Sequence, residues 1–341
     1  MDRQRNSNID LIRIVACMAV VGLHSFPREH STGTLLAYYL CGFAIPFFFM
    51  ASGFFLLNRG KIDWNYPFKK AGSILRIVFL WNLVYDSLRS MIKVYSTGQL
   101  YIGLLDVLKD TVKCLLQKGN MGHFWYLGAL LILYLLLPWI SQKSLKYKRC
   151  LLFATGAVCF IFQTLSFFVQ YPLQAYVIQT FRLWTWLFYF LLGGFIERIT
   201  FWIKNKMQFK GHLILTIVVT GLVLVVHDIV GTGVILLGGE KPLLAEYYYD
   251  CILDMIWVML LFTLLIRVKL HERIEKPIQK IASLTLGLYI VHYPLRLLMS
   301  RVIKVNSFAK AVWFWLIVLT ASAGISWLIG KTKIGRYFTK I

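Results

Sequence analysis

Long apolar windows recur along this chain, and they constrain its fold more than any other feature. Hydrophobic residues make up 58% of the 341 positions and charged residues only 15%. Windows of about twenty residues with few charges are long enough to cross a bilayer as helices. Because these windows lack the apolar–polar alternation of barrel strands, we predict an all-α, polytopic membrane protein. The sequence predicts ten spans, at 9–27, 35–57, 71–91, 122–140, 150–169, 183–202, 212–230, 251–268, 282–302 and 309–330.

The formal charge of +22 reflects where the basic residues lie along the chain. This positive-inside bias predicts that both termini are cytoplasmic. The basic excess is then topological, so the expected partner is the lipid bilayer and not nucleic acid. With a cytoplasmic N-terminus, the cytoplasmic segments hold 23 of the 37 Lys and Arg residues: Arg3, Arg5, Arg59, Lys61, Lys69, Lys70, Lys143, Lys146, Lys148, Arg149, Arg198, Lys204, Lys206, Lys210, Arg267, Lys269, Arg273, Lys276, Lys280, Lys331, Lys333, Arg336 and Lys340.

No composition shift or linker divides the chain, so residues 1–341 are expected to form one membrane domain without an appended soluble domain. The first apolar run lacks a cleavage site, so it is expected to persist as a helix. Of the longer loops, 92–121 has helical periodicity that is compatible with lying along the outer membrane interface. The six cysteines show no ligand spacing, so neither a metal site nor a disulfide framework is expected.

The first span carries three ionisable residues, although charges inside a bilayer are costly. Asp10 and Arg13 are three residues apart, and His24 follows Arg13 by three helical turns, about 16 Å along the axis. All three therefore share one stripe. An inward-facing stripe indicates function, and a histidine suits proton abstraction near neutral pH. Alternatively, Asp10 and Arg13 neutralise each other at one interface while His24 reaches the headgroups at the other.

Basic residues also flank and enter the third span. Lys69 and Lys70 lie at its inner interface, where snorkelling explains them. Arg76 lies about two turns further in, so we predict an anionic partner for it. In the second span, Pro46, Ser52 and Gly53 are predicted to serve helix packing.

Two later spans bring histidines beside aromatic residues. The segment "GHFWYLGALLILYLLLP" contains His123, Trp125 and Tyr126, which either belong to an interfacial aromatic belt or line a site. The segment "SLTLGLYIVHYPL" places Tyr289 and His292 three apart on one helix face. A second inward histidine indicates a functional interior.

Four segments, in chain order, resemble the membrane-bound acyltransferase 3 family. The first, "IDLIRIVACMAVVGLH", is similar to its opening helix, which has an Asp, an Arg three residues on, and a His near the end. The others are "HFWYLGALLILYLLLP", similar to its His-x-Trp-(Phe/Tyr)-Leu segment, "FYFLLGGFIER", similar to its Phe-x-x-Gly-Gly turn, and "SLTLGLYIVHYPL", similar to its Tyr-x-x-His-x-Pro segment. The resemblance covers nearly the whole chain.

The resemblance implies a stand-alone integral-membrane O-acyltransferase of a bacterial cytoplasmic membrane. Such enzymes move an acyl group, commonly acetyl, from cytoplasmic acyl-CoA to a hydroxyl of a cell-surface glycan or its lipid-linked precursor. Acyl-CoA is a co-substrate, and no bound cofactor is implied. His24 matches the family's essential histidine, and Asp10 and Arg13 match its charged pair. Where the family usually has Arg-x-x-Arg, this chain has Ser73 and Arg76, so one anionic contact is either lost or supplied by a lysine.

The corresponding mechanism places the nucleotide end of acyl-CoA among cations, with Lys69, Lys70 and Arg76 as candidates. His24 would act as general base on the acceptor hydroxyl, and transfer would be direct or pass through an acyl-enzyme. Asp10 and the arginine beside it would orient the donor or hold the bundle.

A transporter or flippase for a small amino acid or a lipid-linked sugar is the rival interpretation. A charged stripe at mid-membrane and helices interrupted by Gly and Pro would serve it equally well. A purely structural scaffold would explain neither His24 nor His292.

Overall fold

The computed structural model describes residues 6–29, 31–97, 103–232 and 243–339, and within these ranges the chain is helical and has no strand. This confirms the predicted all-α class. The α-helices are α1 (Ser7–Ser25), α2 (Thr32–Leu40), α3 (Ala44–Leu56), α4 (Asn65–Thr97), α5 (Leu104–Leu115), α6 (Trp125–Gln142), α7 (Leu145–Val169), α8 (Leu183–Lys206), α9 (Phe209–Thr232), α10 (Ile252–Arg267), α11 (Glu272–Ala282), α12 (Thr285–Met299), α13 (Phe308–Lys331) and α14 (Lys333–Thr339).

Fewer of the described helices are long and apolar enough to span a membrane than the ten that the sequence predicts. Among the described residues, seven helical segments are long and apolar enough to cross a membrane, and the bent pair α11–α12, with an angle of 51°, makes an eighth. The predicted spans 71–91 and 251–268 are helical but fall outside this set. In α4, which corresponds to the first of these spans, the charged residues Arg76 and Asp86 interrupt the apolar sequence. The second corresponds to α10, which has only 16 residues. The part of the chain that the structure describes therefore has the helices of a membrane protein, with seven or eight clear spans.

The α1 helix is central and packs against α3, α10, α11, α12 and α13. Its N-terminus is fixed by two asparagines. The side chain of Asn6 accepts hydrogen bonds from the backbone N–H groups of residues 8 and 9 and so caps the helix. Asn8 Nδ2 donates to the backbone carbonyls of Leu265, Ile266 and Val268 at the C-terminal end of α10, and the Leu265 carbonyl also accepts the N–H of the C-cap residue Val268. These contacts fix the position of α1 along its own axis relative to α10.

The α3 and α8 helices cross at very short range because glycines meet backbone on both sides. A Cβ on Gly53 would overlap the carbonyl group of Phe190, and a Cβ on Gly193 would overlap that of Met50. Trp186 of α8, one of the largest fully buried side chains, stacks on Phe49 of α3 with ring centroids 4.8 Å apart. The predicted packing role of Gly53 is thus confirmed. In contrast, α7, α9 and α13 are mostly exposed and apolar, as a lipid-facing periphery requires.

Candidate active site

The polar stripe of α1 faces α12 along its length. Arg13 Nη2 donates to Thr285 Oγ1 at 3.2 Å, and Cys17 Sγ lies 3.5 Å from the carbonyl oxygen of the same threonine. At the other end, the ring of His24 lies 5.2 Å from that of His292, measured between centroids. The structure therefore places Arg13 and His24 on one inward face, as the helical spacing predicts.

Asp10 and Arg13 form an ion pair with unequal exposure. Arg13 Nη1 lies 3.3 Å from Asp10 Oδ1, and the arginine side chain is 34% exposed while that of the aspartate is 4% exposed. Arg13 lines a cavity, whereas Asp10 lies beneath it and is not among the lining residues. The geometry makes Asp10 the group that orients Arg13.

Two cavities lie at opposite ends of α1 and α12. The Arg13 cavity, of about 450 Å³, is lined by Arg13, Arg59, Tyr66, Lys70, Tyr126, Tyr289 and neighbouring apolar residues of α3 and α6. The His24 cavity, of about 460 Å³, is lined by His24, Trp125, Gln179, Glu246, Tyr293, Arg296 and residues of the turns around them. Although adjacent in sequence, Trp125 and Tyr126 line different cavities, because successive helical side chains point about 100° apart.

Between the cavities lies a group of rings that we call the histidine wall, formed by His123, Tyr289, His292 and Tyr293. His123 stacks on Tyr293 at 4.8 Å and lies 5.6 Å from His292, and the hydroxyl of Tyr289 donates to the carbonyl oxygen of His123. Both histidines are buried. Within the part of the chain that the structure describes, Nε2 of His292 has no hydrogen-bond partner. Buried polar atoms without partners are uncommon, and they mark where another polar group is accommodated.

The Arg13 cavity is positively charged. Arg13, Arg59 and Lys70 line it, and no acidic side chain does so within the described part of the chain. Arg59 and Lys70 lie 5.9 Å and 5.8 Å from the centre of the Tyr66 ring. Arg59 and Lys69 both lie close enough to Lys70 to repel its charge. A bound anion would offset the repulsion among these positive charges, so the cavity suits a polyanion.

The His24 cavity carries both signs of charge and a fixed amide. Arg182 Nη2 lies 3.2 Å from the carboxylate of Glu246, and Gln179 Nε2 donates to the same carboxylate. A carboxylate only accepts, so this contact fixes the orientation of the Gln179 amide. Its Oε1 is buried and has no partner among the described residues, and other atoms of Gln179 line the cavity.

The structure brings together most of the predicted site residues but divides the predicted donor-binding set. Lys70 lines the Arg13 cavity, whereas Lys69 is exposed on the surface. Arg76 also lies elsewhere, with its guanidinium 5.2 Å from the ring centre of Tyr337 on α14. Arg59, which the sequence reasoning did not select, joins the cavity from the loop after α3. Its signal was its place in a basic segment just beyond the second span.

Comparisons with known proteins identify the family. A family model described as an acyltransferase domain matches residues 6–331. An amino-acid racemase from Enterococcus faecalis is 29% identical over 152 residues, covering 44% of this chain and 20% of that protein. A serine/alanine racemase from Enterococcus gallinarum is 27% identical over 169 residues, covering 45% and 22% respectively.

The matched part thus covers only about a fifth of the length of these relatives. No solved structure matches the chain. The family match, in contrast, extends over nearly the whole chain and agrees with its apolar helices. This chain belongs to the acyltransferase 3 family.

Proposed function

We propose that this protein is an integral-membrane O-acyltransferase of the bacterial cytoplasmic membrane. It transfers an acyl group, acetyl in the simplest case, from cytoplasmic acyl-CoA to a hydroxyl of a cell-surface glycan or its lipid-linked precursor. The observation that carries the proposal is the pair of cavities, one polycationic and one of mixed polarity, that meet at the histidine wall from opposite ends of the bundle.

We further propose ten spans with both termini in the cytoplasm. Added to the seven clear spans, α4, α10 and the α11–α12 pair would make ten crossings, and in this proposal successive crossings alternate in direction. This topology puts Arg13, Arg59 and Lys70 on the cytoplasmic side, in keeping with the positive-inside rule. The donor then enters from the compartment that contains acyl-CoA.

The donor side of the proposal rests on charge. The nucleotide end of CoA carries several phosphate negative charges, which guanidinium and ammonium groups recognise. Arg59 and Lys70 would hold the phosphates at the mouth of the Arg13 cavity. The thin pantetheine arm would follow the apolar wall of α3 toward Tyr126 and Tyr289, which also line that cavity.

Replacing Lys70 with alanine is expected to raise the KM for acetyl-CoA by about 10- to 100-fold, because a charge-assisted contact contributes about 1.5–3 kcal/mol. Lys69→Ala is the matched control, since Lys69 precedes it on the same helix but is exposed outside the cavity. Initial rates at varied acetyl-CoA concentration measure both. Equal KM values for the two variants would contradict a donor site in the Arg13 cavity.

The acceptor side rests on hydrogen-bonding groups and aromatic faces. A glycan presents hydroxyl donors beside apolar C–H faces, and the His24 cavity is lined by the carboxyl-bearing Glu246 next to the aromatic Trp125 and Tyr293. His24 would take the proton of the acceptor hydroxyl as its oxygen attacks the thioester carbonyl. The C–O bond forms, the C–S bond breaks, and the departing CoA thiolate receives the proton.

The test uses the full-length protein in proteoliposomes with acetyl-CoA labelled in its acetyl group and a cell-wall glycan fraction as acceptor. We expect label to pass from acetyl-CoA into the glycan when the protein is present, and not in protein-free liposomes. A transporter or flippase would instead move solute or lipid-linked sugar, coupled to an ion gradient, without acetyl-CoA. That second result, with no label in the glycan, would overturn the proposal.

A further inference from the structure

We propose that His292 is a positioning residue that orients the base of this reaction. Its Nε2 accepts the ring N–H of His24, which leaves the other His24 nitrogen unprotonated and directed into the His24 cavity. The inference rests on the proposed function, in which His24 removes the acceptor proton. It adds a second histidine that never contacts the reacting atoms but decides which nitrogen of the first one reacts.

The protonation pattern of His292 follows from its hydrogen bond. Its Nδ1 lies 2.6 Å from the carbonyl oxygen of Tyr289, one turn earlier in α12. A carbonyl oxygen only accepts, so Nδ1 carries the proton. In the neutral ring, Nε2 then carries a lone pair and is an acceptor. The same hydrogen bond holds the ring in one orientation.

The second observation is that this acceptor is buried and has no partner. His292 is 0% exposed, and its Nε2 makes no hydrogen bond in the described part of the chain. Leaving a buried acceptor unsatisfied costs about 1–3 kcal/mol, so the arrangement favours any donor that can reach it. A histidine kept only for packing would be more stable as an apolar residue of the same shape.

His24 is the donor that the geometry favours. Its ring centroid is 5.2 Å from that of His292, with a tilt of 41°, whereas His123 lies 5.6 Å away and is nearly perpendicular. Of the two, only His24 lines the cavity where an acceptor would bind. Catalytic hydrogen bonds are often long without substrate and shorten when the complex forms. A small rotation of the His24 ring would bring its N–H within hydrogen-bond distance of His292 Nε2.

In this proposal His292 acts on His24 as the carboxylate of a serine protease triad acts on the triad histidine. Holding one ring nitrogen as a donor leaves the other as the base, and the wrong tautomer in such a triad lowers kcat by about 10⁴-fold. Because His292 is a neutral acceptor rather than a carboxylate, we expect a smaller effect here, about 10²-fold.

Two substitutions separate the Nε2 role from the Nδ1 role. In His292→Asn, the amide nitrogen sits near the former Nδ1 and can still donate to Tyr289, but nothing replaces Nε2. In His292→Gln, the amide reaches the former Nε2 position and its oxygen can accept from His24. We expect His292→Asn to lower kcat about 10²-fold at an unchanged KM for acetyl-CoA, and His292→Gln to stay within about tenfold of the parent.

The outcomes are distinguishable. Equal losses in the two variants, or a loss that appears in KM, would overturn the positioning role. Thermal midpoints in detergent show whether either variant is merely unfolded, and rescue by His292→Gln cannot come from a generally damaged fold. His24→Ala is measured in parallel. If it is inactive while His292→Asn has the parent kcat, this inference alone fails; if it is fully active, the proposed base fails as well.

Discussion

His24→Ala is expected to lower the rate of acyl transfer by about 10²- to 10⁴-fold, the range over which a positioned general base contributes. The side chain lines a cavity, so its truncation enlarges that cavity rather than emptying a packed core. The loss should therefore appear in kcat, with the KM for acetyl-CoA unchanged, because the proposed donor cations lie in the other cavity. The measurement is labelled acetyl transfer at saturating acetyl-CoA.

The matched control for this prediction is His271→Ala. His271 is exposed at the start of α11, where its ring accepts a hydrogen bond from a backbone N–H, and it lines neither cavity. It should retain the parent rate. Full activity in His24→Ala, with the same amount of folded protein, would show that the base is another residue.

The position of His24 relative to Arg13 follows directly from helical periodicity, and so the sequence could predict their shared stripe. What the sequence could not predict is the surface that the stripe contacts. Thr285 and His292 are more than 250 positions further along the chain, and only the packing of α12 against α1 brings them there. The tautomer of His292 depends on that packing too, so it was not accessible from residue types.

The donor-binding residues show a different limit. Lys70 and Arg76 are six residues apart, about 1.7 turns, so their side chains leave α4 in different directions. Only the rotation of α4 in the bundle decides which of them meets the Arg13 cavity, and it selects Lys70. Arg59 lies in a loop, where no periodicity constrains a side chain. The positive-inside rule already accounts for basic residues near the cytoplasmic membrane surface. The sequence therefore cannot distinguish the few basic residues that line a cavity from the rest.

Gly53→Ala and Gly193→Ala are each expected to destabilise the protein strongly. The new methyl group would overlap a backbone carbonyl of the facing helix, which cannot rotate away as a side chain can. Overpacking of this kind typically costs about 1–3 kcal/mol, and more where backbone must move. The thermal midpoint of the detergent-solubilised protein should fall in both variants. The double variant should fall by less than the sum, because once α3 and α8 separate for one methyl group they have room for the other.

Gly221→Ala provides the control, because a Cβ at this position of α9 meets open space. It should leave the thermal midpoint unchanged or raise it, since alanine favours helix over glycine by about 1 kcal/mol.

The spacing of α3 and α8 matters for function because α3 also supplies Phe48, Ser52 and Phe55 to the Arg13 cavity. If the two helices are forced apart, these side chains move and the KM for acetyl-CoA should rise in whatever protein remains folded. Unchanged midpoints in Gly53→Ala and Gly193→Ala would mean that the crossing tolerates a wider spacing, and then the cavity wall would not depend on it.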